Sequence, residues 1–480
     1  MKDLELIGLC VALAAGEAGG LLLSDYAALW PVVAVLAVLT AFFGFGWAWR
    51  GWRYAFAAVA GLALALCSGA SVRATRQAVL ERHGNRPVET VLTVGEGVAV
   101  HRGKTGREWV AFPSEVDGRP VRVMMAVRGN MDLPVTGERW RCAGRLEWRH
   151  GREWWRRGTF WVANRGGTEV IAERVGETDG FRAALSRVRA DCSRRVGIGL
   201  DHNPRAVRLN RAILLGERRE VDAEAHDLFV AAGTMHVFAI SGLHVMVVAQ
   251  VLTYLLLFTF LPVRYRGFLL IPCLWGYVVL TGCGASAVRA ATMASFYFSA
   301  ALFWRRPDGL VAWALTFLLV HALSPELVFD VGASLSFAVM LAIILWSRYS
   351  RDFQHRWIAA FGMTLMAWAA GVPIAAHVFG RVTPGGILAN LALLPAAAVS
   401  VGSGVLGVLA SFLSDSLAAH INNLSALFTD AMYGLSHIVA HLPGANFDVR
   451  PWTWWEGFSW YAVIVLSLYL VHSIRRRHLC

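Results

Sequence analysis

Hydrophobic and polar positions alternate along this chain in three regimes. Apolar stretches able to cross about 30 Å of hydrocarbon, roughly 20 residues each, run over about 4–23, 27–48 and 54–71. They resume at about 236–260, 267–283, 288–304, 309–323, 328–346, 357–379, 385–413, 418–442 and 457–474. This pattern predicts about twelve transmembrane helices. The first stretch is not an ordinary cleavable signal, because Glu17 interrupts it, its positive flank is a single lysine and a second span follows at once.

Between the two hydrophobic blocks the period changes to two. Val121, Val123, Met125 and Val127 recur at every second position, as do Trp140, Cys142, Gly144, Leu146 and Trp148, and glycines punctuate the segments. Such alternation with close turns predicts a small antiparallel barrel or sandwich of five or six strands, and the length fits an OB-like barrel. Residues 181–225 read as basic helices, with Phe181, Leu185 and Val188 facing away from the arginines. They suit either a membrane surface or a solvated connection. The expected architecture is therefore a mainly α membrane bundle with an inserted OB-like domain. Its divisions are N-terminal spans at 1–72, the barrel at 73–180, connecting helices at 181–235 and a transmembrane domain at 236–480.

Composition narrows the class. The chain has 480 residues, 56% hydrophobic and only 16% charged, with mean hydropathy +0.49. A soluble domain carries about a quarter charged residues, so a cytosolic enzyme, a disordered protein and a disulfide-rich scaffold are excluded. The net charge is +12, and residues 71–225 hold 29 basic against 20 acidic residues, so most of the excess lies in the insert. Alternate short loops carry Arg50 and Arg53, Arg264 and Arg266, Arg305 and Arg306, then Arg348, Arg351 and Arg356, and the tail carries Arg475, Arg476 and Arg477. The intervening loops offer only Arg381 and Arg450. This bias places both termini in the cytoplasm of an inner-membrane protein and residues of about 72–235 outside it.

Within the insert, Arg145, Trp148, Arg149, Arg152, Trp154, Trp155, Arg156 and Arg157 crowd one stretch. Bases stack on aromatic faces while arginines neutralise phosphates, a composition suited to single-stranded nucleic acid. Barrel core or headgroup anchoring accounts for the same residues. The seven cysteines lack metal spacing. Cys142 and Cys192 fall in the outer segment, where a disulfide is conceivable.

Polar residues interrupt the hydrophobic half. "GTMHVFAISGLHV" places His236, Ser241, Gly242 and His244 in a span; "LTGCGASAVRAA" adds Thr281, Ser286 and Arg289; "FDVGASLSF" adds Asp330, Ser334 and Ser336; and Asn390 follows a Pro- and Gly-rich break. Intramembrane charge is expensive, so Arg289 and Asp330 should face protein or water and are candidates to pair. Broken segments at depth line a cavity or pack in protein. Ser400, Asn422 and His437 read as helix–helix contacts.

These segments, in this order and spacing, resemble the ComEC-type competence proteins, the inner-membrane DNA channel of natural transformation. The resemblance covers about 210–400 and extends to the outer barrel. Ala285 and Ala333 depart from the family pattern, which often has proline and glutamine there. The resemblance implies a channel for single-stranded DNA, with His236, Ser241, Gly242, His244, Thr281, Ser286, Arg289 and Asn390 along the path. Asp330, Ser334 and Ser336 would be structural. Many members also carry a metallo-β-lactamase-like domain, and no HxHxDH-type motif occurs in this sequence. The expectation is thus a non-enzymatic form without cofactor or metal, working with other competence proteins, membrane lipid and a separate nuclease. A secondary transporter or lipid-linked flippase is the alternative, since it too needs midplane polar groups. A membrane enzyme using His236 and His244 lacks a carboxylate nearby in sequence.

Overall fold

The computed structural model describes Cys10 and Leu13, the strands lying between Val88 and Glu177, Val94 and Pro134, and residues 181–464 apart from short gaps. The three N-terminal spans therefore fall outside the described residues, Cys10 and Leu13 excepted. The chain divides into two compact units: Met1–Arg195 with Trp275–Gly284 and Phe317–Val328, and the remainder.

The first unit contains seven strands: β1 Val88–Thr93, β2 Ala99–Arg102, β3 Glu108–Val116, β4 Arg119–Ala126, β5 Glu138–Glu147, β6 Gly158–Val162 and β7 Ala172–Glu177. Their order is β1-β5-β6-β4-β3-β2, with β7 also on β5. β4 and β6 run parallel, whereas the alternation alone predicted antiparallel pairing throughout. β5 lies between β4 and β6 in the chain but does not pair with β4, so the connection through β5 acts as the crossover that parallel strands need, and the parallel pair comes from strand order rather than from side-chain pattern. Alternation sets the faces: Val123 and Met125 of β4 and Trp140 and Cys142 of β5 are buried, while Arg139 and Arg141 are exposed. Trp140 Nε1 donates to buried Glu138 at 3.0 Å. No disulfide links Cys142 to Cys192. Cys142 points into the strand core, and burial there pushes its thiol up to about 12, which keeps it protonated and unreactive. Helix α1, Phe181–Val196, leaves Val188 53% exposed, and its Asp191 pairs with Arg194 and Arg195 along the helix.

The second unit is helical. Its order is α2 Pro204–Leu215, α3 Ala223–Ala231, α4 Gly242–Leu255, α5 Arg266–Leu280, α6 Ala285–Leu302, α7 Gly309–Leu323, α8 Val331–Tyr349, α9 Arg356–Phe379, α10 Gly385–Ala410 and α11 Asp415–Ala440; the ends of α5 and α7 belong to the first unit. The starts follow capping chemistry. Asn203 accepts the Ala206 N–H at 3.1 Å ahead of Pro204, and the α2 end turns on left-handed Gly216. Ser414 and Asp330 cap α11 and α8.

Among the described residues, five helices are long and apolar enough to cross a membrane: Gly242–Thr259, Val263–Leu280, Val331–Tyr349, Arg356–Phe379 and Gly385–Ala410. Helix α7 is shorter, and α6 and α11 carry more polar side chains. Large apolar residues such as Phe258, Leu365, Leu388 and Leu427 are exposed on this unit. So apolar a surface is at home in lipid, and the chain is a membrane protein.

The α2 helix is not a surface helix. Ala206, Leu209, Ala212, Ile213, Leu214 and Leu215 are buried. Inside the unit, Thr429 Oγ1 of α11 donates to Asn210 Oδ1 of α2 at 2.5 Å, and the Ser400 hydroxyl of α10 lies 2.8 Å from the same Thr429 oxygen. Ser425 Oγ donates to the Ser400 carbonyl at 2.9 Å. Buried hydroxyls and an amide thus satisfy each other between the helices. Asn422 donates to the Ile198 carbonyl at 3.1 Å. A Cβ on Gly407 of α10 would lie 2.0 Å from Asn422 Oδ1, so only glycine permits this α10–α11 approach.

Candidate functional site

Three sequence segments that carry polar residues turn out to be helix starts. Ser241 precedes α4, Ala285 opens α6 and Asp330 precedes α8. Gly242 brings the first turn of α4 against α6, so that a methyl group added to it would meet the Ala290 methyl at 3.8 Å. At the neighbouring position, Arg289 Nη2 of α6 donates to the Gly332 carbonyl in the first turn of α8 at 3.0 Å. The starts of α4 and α8 thereby both lie against the first two turns of α6.

Each side chain there has a physical task. The Ser241 backbone N–H donates to His244 Nδ1 at 3.1 Å, and the Ser241 hydroxyl is 3.0 Å from the same nitrogen. This is a capping box with His244 in the place usually held by Glu or Gln. The bond needs Nδ1 unprotonated, which puts the ring proton on Nε2. His244 is wholly buried, so it holds the helix start. Asp330 Oδ1 accepts the Ala333 N–H at 2.7 Å and caps α8. The expected Arg289–Asp330 contact is therefore replaced by Arg289 on a carbonyl and Asp330 on a helix end, although the Asp330 charge still acts on the guanidinium. Arg289 is 6% exposed, and among the described residues its Nε has no hydrogen-bond partner. Ser286 stands three residues earlier, on the same face of α6, and is half-buried. Ser334 and Ser336 are half-buried in α8.

The other expected residues lie elsewhere. His236 is exposed on a 3₁₀ turn, Met235–Val237. Thr281 belongs to the first unit, at the end of α5, where its hydroxyl donates to the Val278 carbonyl at 3.1 Å. Asn390 is half-buried in the second turn of α10, with its Oδ1 buried and without a partner among the described residues. Its neighbour Ala389 packs with Ala232, Val439 and Ala445 rather than with the starts of α4, α6 and α8. Arg145 lies in β5, opposite Trp161 of β6; Trp148, Arg149, Arg152, Trp154, Trp155, Arg156 and Arg157 lie outside the described residues.

Two features were missed in the sequence. One is the set of partners Asn210, Ser425 and Thr429 that joins Ser400, itself read as a helix–helix contact, into a ladder; its signal was the three- and four-residue spacing of Asn422, Ser425 and Thr429. The other is a cap of loops around Thr383 and Ala445: Gly385 N–H donates to the Ala445 carbonyl at 3.0 Å, Asn446 donates to the Ala231 carbonyl at 3.1 Å, and Arg381 pairs with Asp448 at 2.8 Å. Gly233, at φ +72°, is wedged against Thr383, where a Cβ would come within 2.7 Å of its hydroxyl. Among the described residues no group of three or more His, Cys, Asp or Glu could hold a metal.

Residues 213–473 match the family described as "Competence protein". The chain is similar to "ComE operon protein 3" of Bacillus subtilis (strain 168), 28% identical over 192 residues, which are 40% of this chain and 25% of that protein. It is also similar to an "Uncharacterized protein" of Aquifex aeolicus (strain VF5), 30% identical over 215 residues, 44% of this chain and 49% of that one. The matches span about a quarter and about half of these relatives. No solved structure matches the chain. With more than half of its length covered by the family match, the chain belongs to the competence protein family.

Proposed function

We propose that this protein conducts single-stranded DNA across the inner membrane during natural transformation. A phosphate chain cannot enter hydrocarbon, where even one charged side chain costs about 2.5–3.5 kcal/mol on insertion scales. It needs a polar, positive route. The observation that carries the reading is Arg289, buried at the junction of three helix starts inside the family-matched region. Helix starts bear partial positive charge and attract phosphate. Ser286 and Arg289, with His236 and Asn390 as further donors, are the path residues of this proposal; His244 and Asp330 position the helix starts.

The strand domain is the collector in this reading. β1 and β2 are consecutive in the chain yet occupy the two ends of the sheet, as two halves of one bent strand closing a barrel would. Together with the parallel β4–β6 pair, this order supports an OB-like barrel, a fold that binds single strands. The arginine distribution favours both termini inside, about twelve spans in all, and the barrel outside. Other competence proteins and a separate nuclease would complete the route.

The test uses the full chain in detergent with a fluorescent oligodeoxynucleotide at rising salt. Affinity should fall linearly on a log–log plot, with a slope of about −0.7 per phosphate contact. A flat response removes the collector from the account.

A further inference from the structure

We propose that the starts of α4, α6 and α8 form a seat for one phosphate group, held by Arg289. The inference rests on the DNA-conducting reading and adds a discrete binding site to it. The charge balance argues for it. Each helix start contributes roughly +0.5 elementary charge, and Arg289 adds a full positive charge while 94% buried, being 6% exposed. Cations are stabilised at helix C-termini, so this guanidinium has the wrong sign for its surroundings. The one carboxylate acting on it, Asp330, makes no hydrogen bond to the guanidinium among the described residues and instead accepts the Ala333 N–H at 2.7 Å. A buried charge without a matching partner is unfavourable. The imbalance is relieved by an anion.

The shape of the donors names its class. Arg289 uses Nη2 on the Gly332 carbonyl at 3.0 Å, and its Nε, without a partner among the described residues, remains on the same planar fork. Guanidinium forks match the tetrahedral oxygens of phosphate. Ser286, one turn earlier on the same face of α6, adds a hydroxyl. A phosphodiester carries one negative charge per nucleotide, so a strand moving through would occupy the seat one phosphate at a time. The Gly332 carbonyl would hold the arginine between phosphates.

The full chain in phosphatidylcholine nanodiscs, probed with radiolabelled inorganic phosphate, tests this. Saturable binding is expected, weakened about tenfold or more by Arg289→Gln, which removes charged hydrogen bonds. Asp330→Asn keeps a good cap residue and deletes the opposing charge, so it should tighten binding, a change that misfolding cannot imitate. An oligodeoxythymidylate should compete with phosphate. Absence of binding, or binding unchanged in both variants, overturns the seat. Competition by phosphatidylglycerol but not by the oligonucleotide overturns the strand as occupant and assigns the seat to a lipid headgroup. Phosphate binding that persists in a protein unable to take up DNA would instead contradict the function proposed above.

Discussion

At the scale of single residues, two side chains that look alike in sequence have different tasks. Arg289 and His244 are both polar, both buried and both in the first turns of helices. Arg289→Ala should lower transformation by about ten- to a hundredfold, the range set by losing one charged hydrogen bond, with membrane levels unchanged on immunoblots. Near-normal transformation in that variant would remove Arg289 from the path. His244 acts through the α4 start. His244→Ala should therefore cost about 1 kcal/mol of helix stability, whereas His244→Gln supplies another capping-box residue and should restore both stability and uptake. A Gln variant as defective as the Ala variant would give the imidazole a role beyond the cap. The "AISGLH" segment was legible as polar residues where lipid was expected. That it opens a helix was not, because a histidine at the third helical position is not a usual capping signal.

At the scale of elements, one glycine contact and one ion pair hold neighbouring helices in place. Gly407→Ala forces a methyl group into Asn422, which it would approach to 2.0 Å. Overpacking of this kind costs about 1–3 kcal/mol, so the variant should melt earlier in detergent; an unchanged melting temperature would mean that α10 and α11 pack less closely. Asp308, between α6 and α7, gives a pH dependence. Burial raises its pKa, but the Val311 and Leu310 N–H groups and the Arg348 guanidinium, 2.6 and 2.7 Å from its oxygens, outweigh that and hold it below the ordinary range. Its contribution is fully present above the ordinary aspartate pKa of about 3.9 and is lost as the pH falls through the lowered value. Thermal stability of the parent should therefore drop in acid more steeply than that of Asp308→Asn; parallel acid limbs would show that Asp308 contributes nothing. Helix positions were largely legible, since apolar runs are long and their ends polar. The burial of α2 was not, because its arginines suggested a surface and the partner of Asn210 lies 219 residues away.

At the scale of the whole molecule, the described residues form strands between Val88 and Glu177 and mainly helices from Phe181 onward. Strand faces were readable from alternation at Val123, Met125, Trp140 and Cys142. Strand order was not, because pairing between distant strands leaves no local mark and the parallel β4–β6 pair depends on it. The meeting of the α4, α6 and α8 starts was hidden for the same reason. Resemblance joined the three segments as one family pattern, and only the fold joined them in space. The central claim is that this chain carries DNA through the membrane, and the most direct measurement is entry of end-labelled single-stranded DNA into the cytoplasm of otherwise identical cells with and without it. Protected label should accumulate inside only when the chain is present; equal accumulation in its absence would contradict the account.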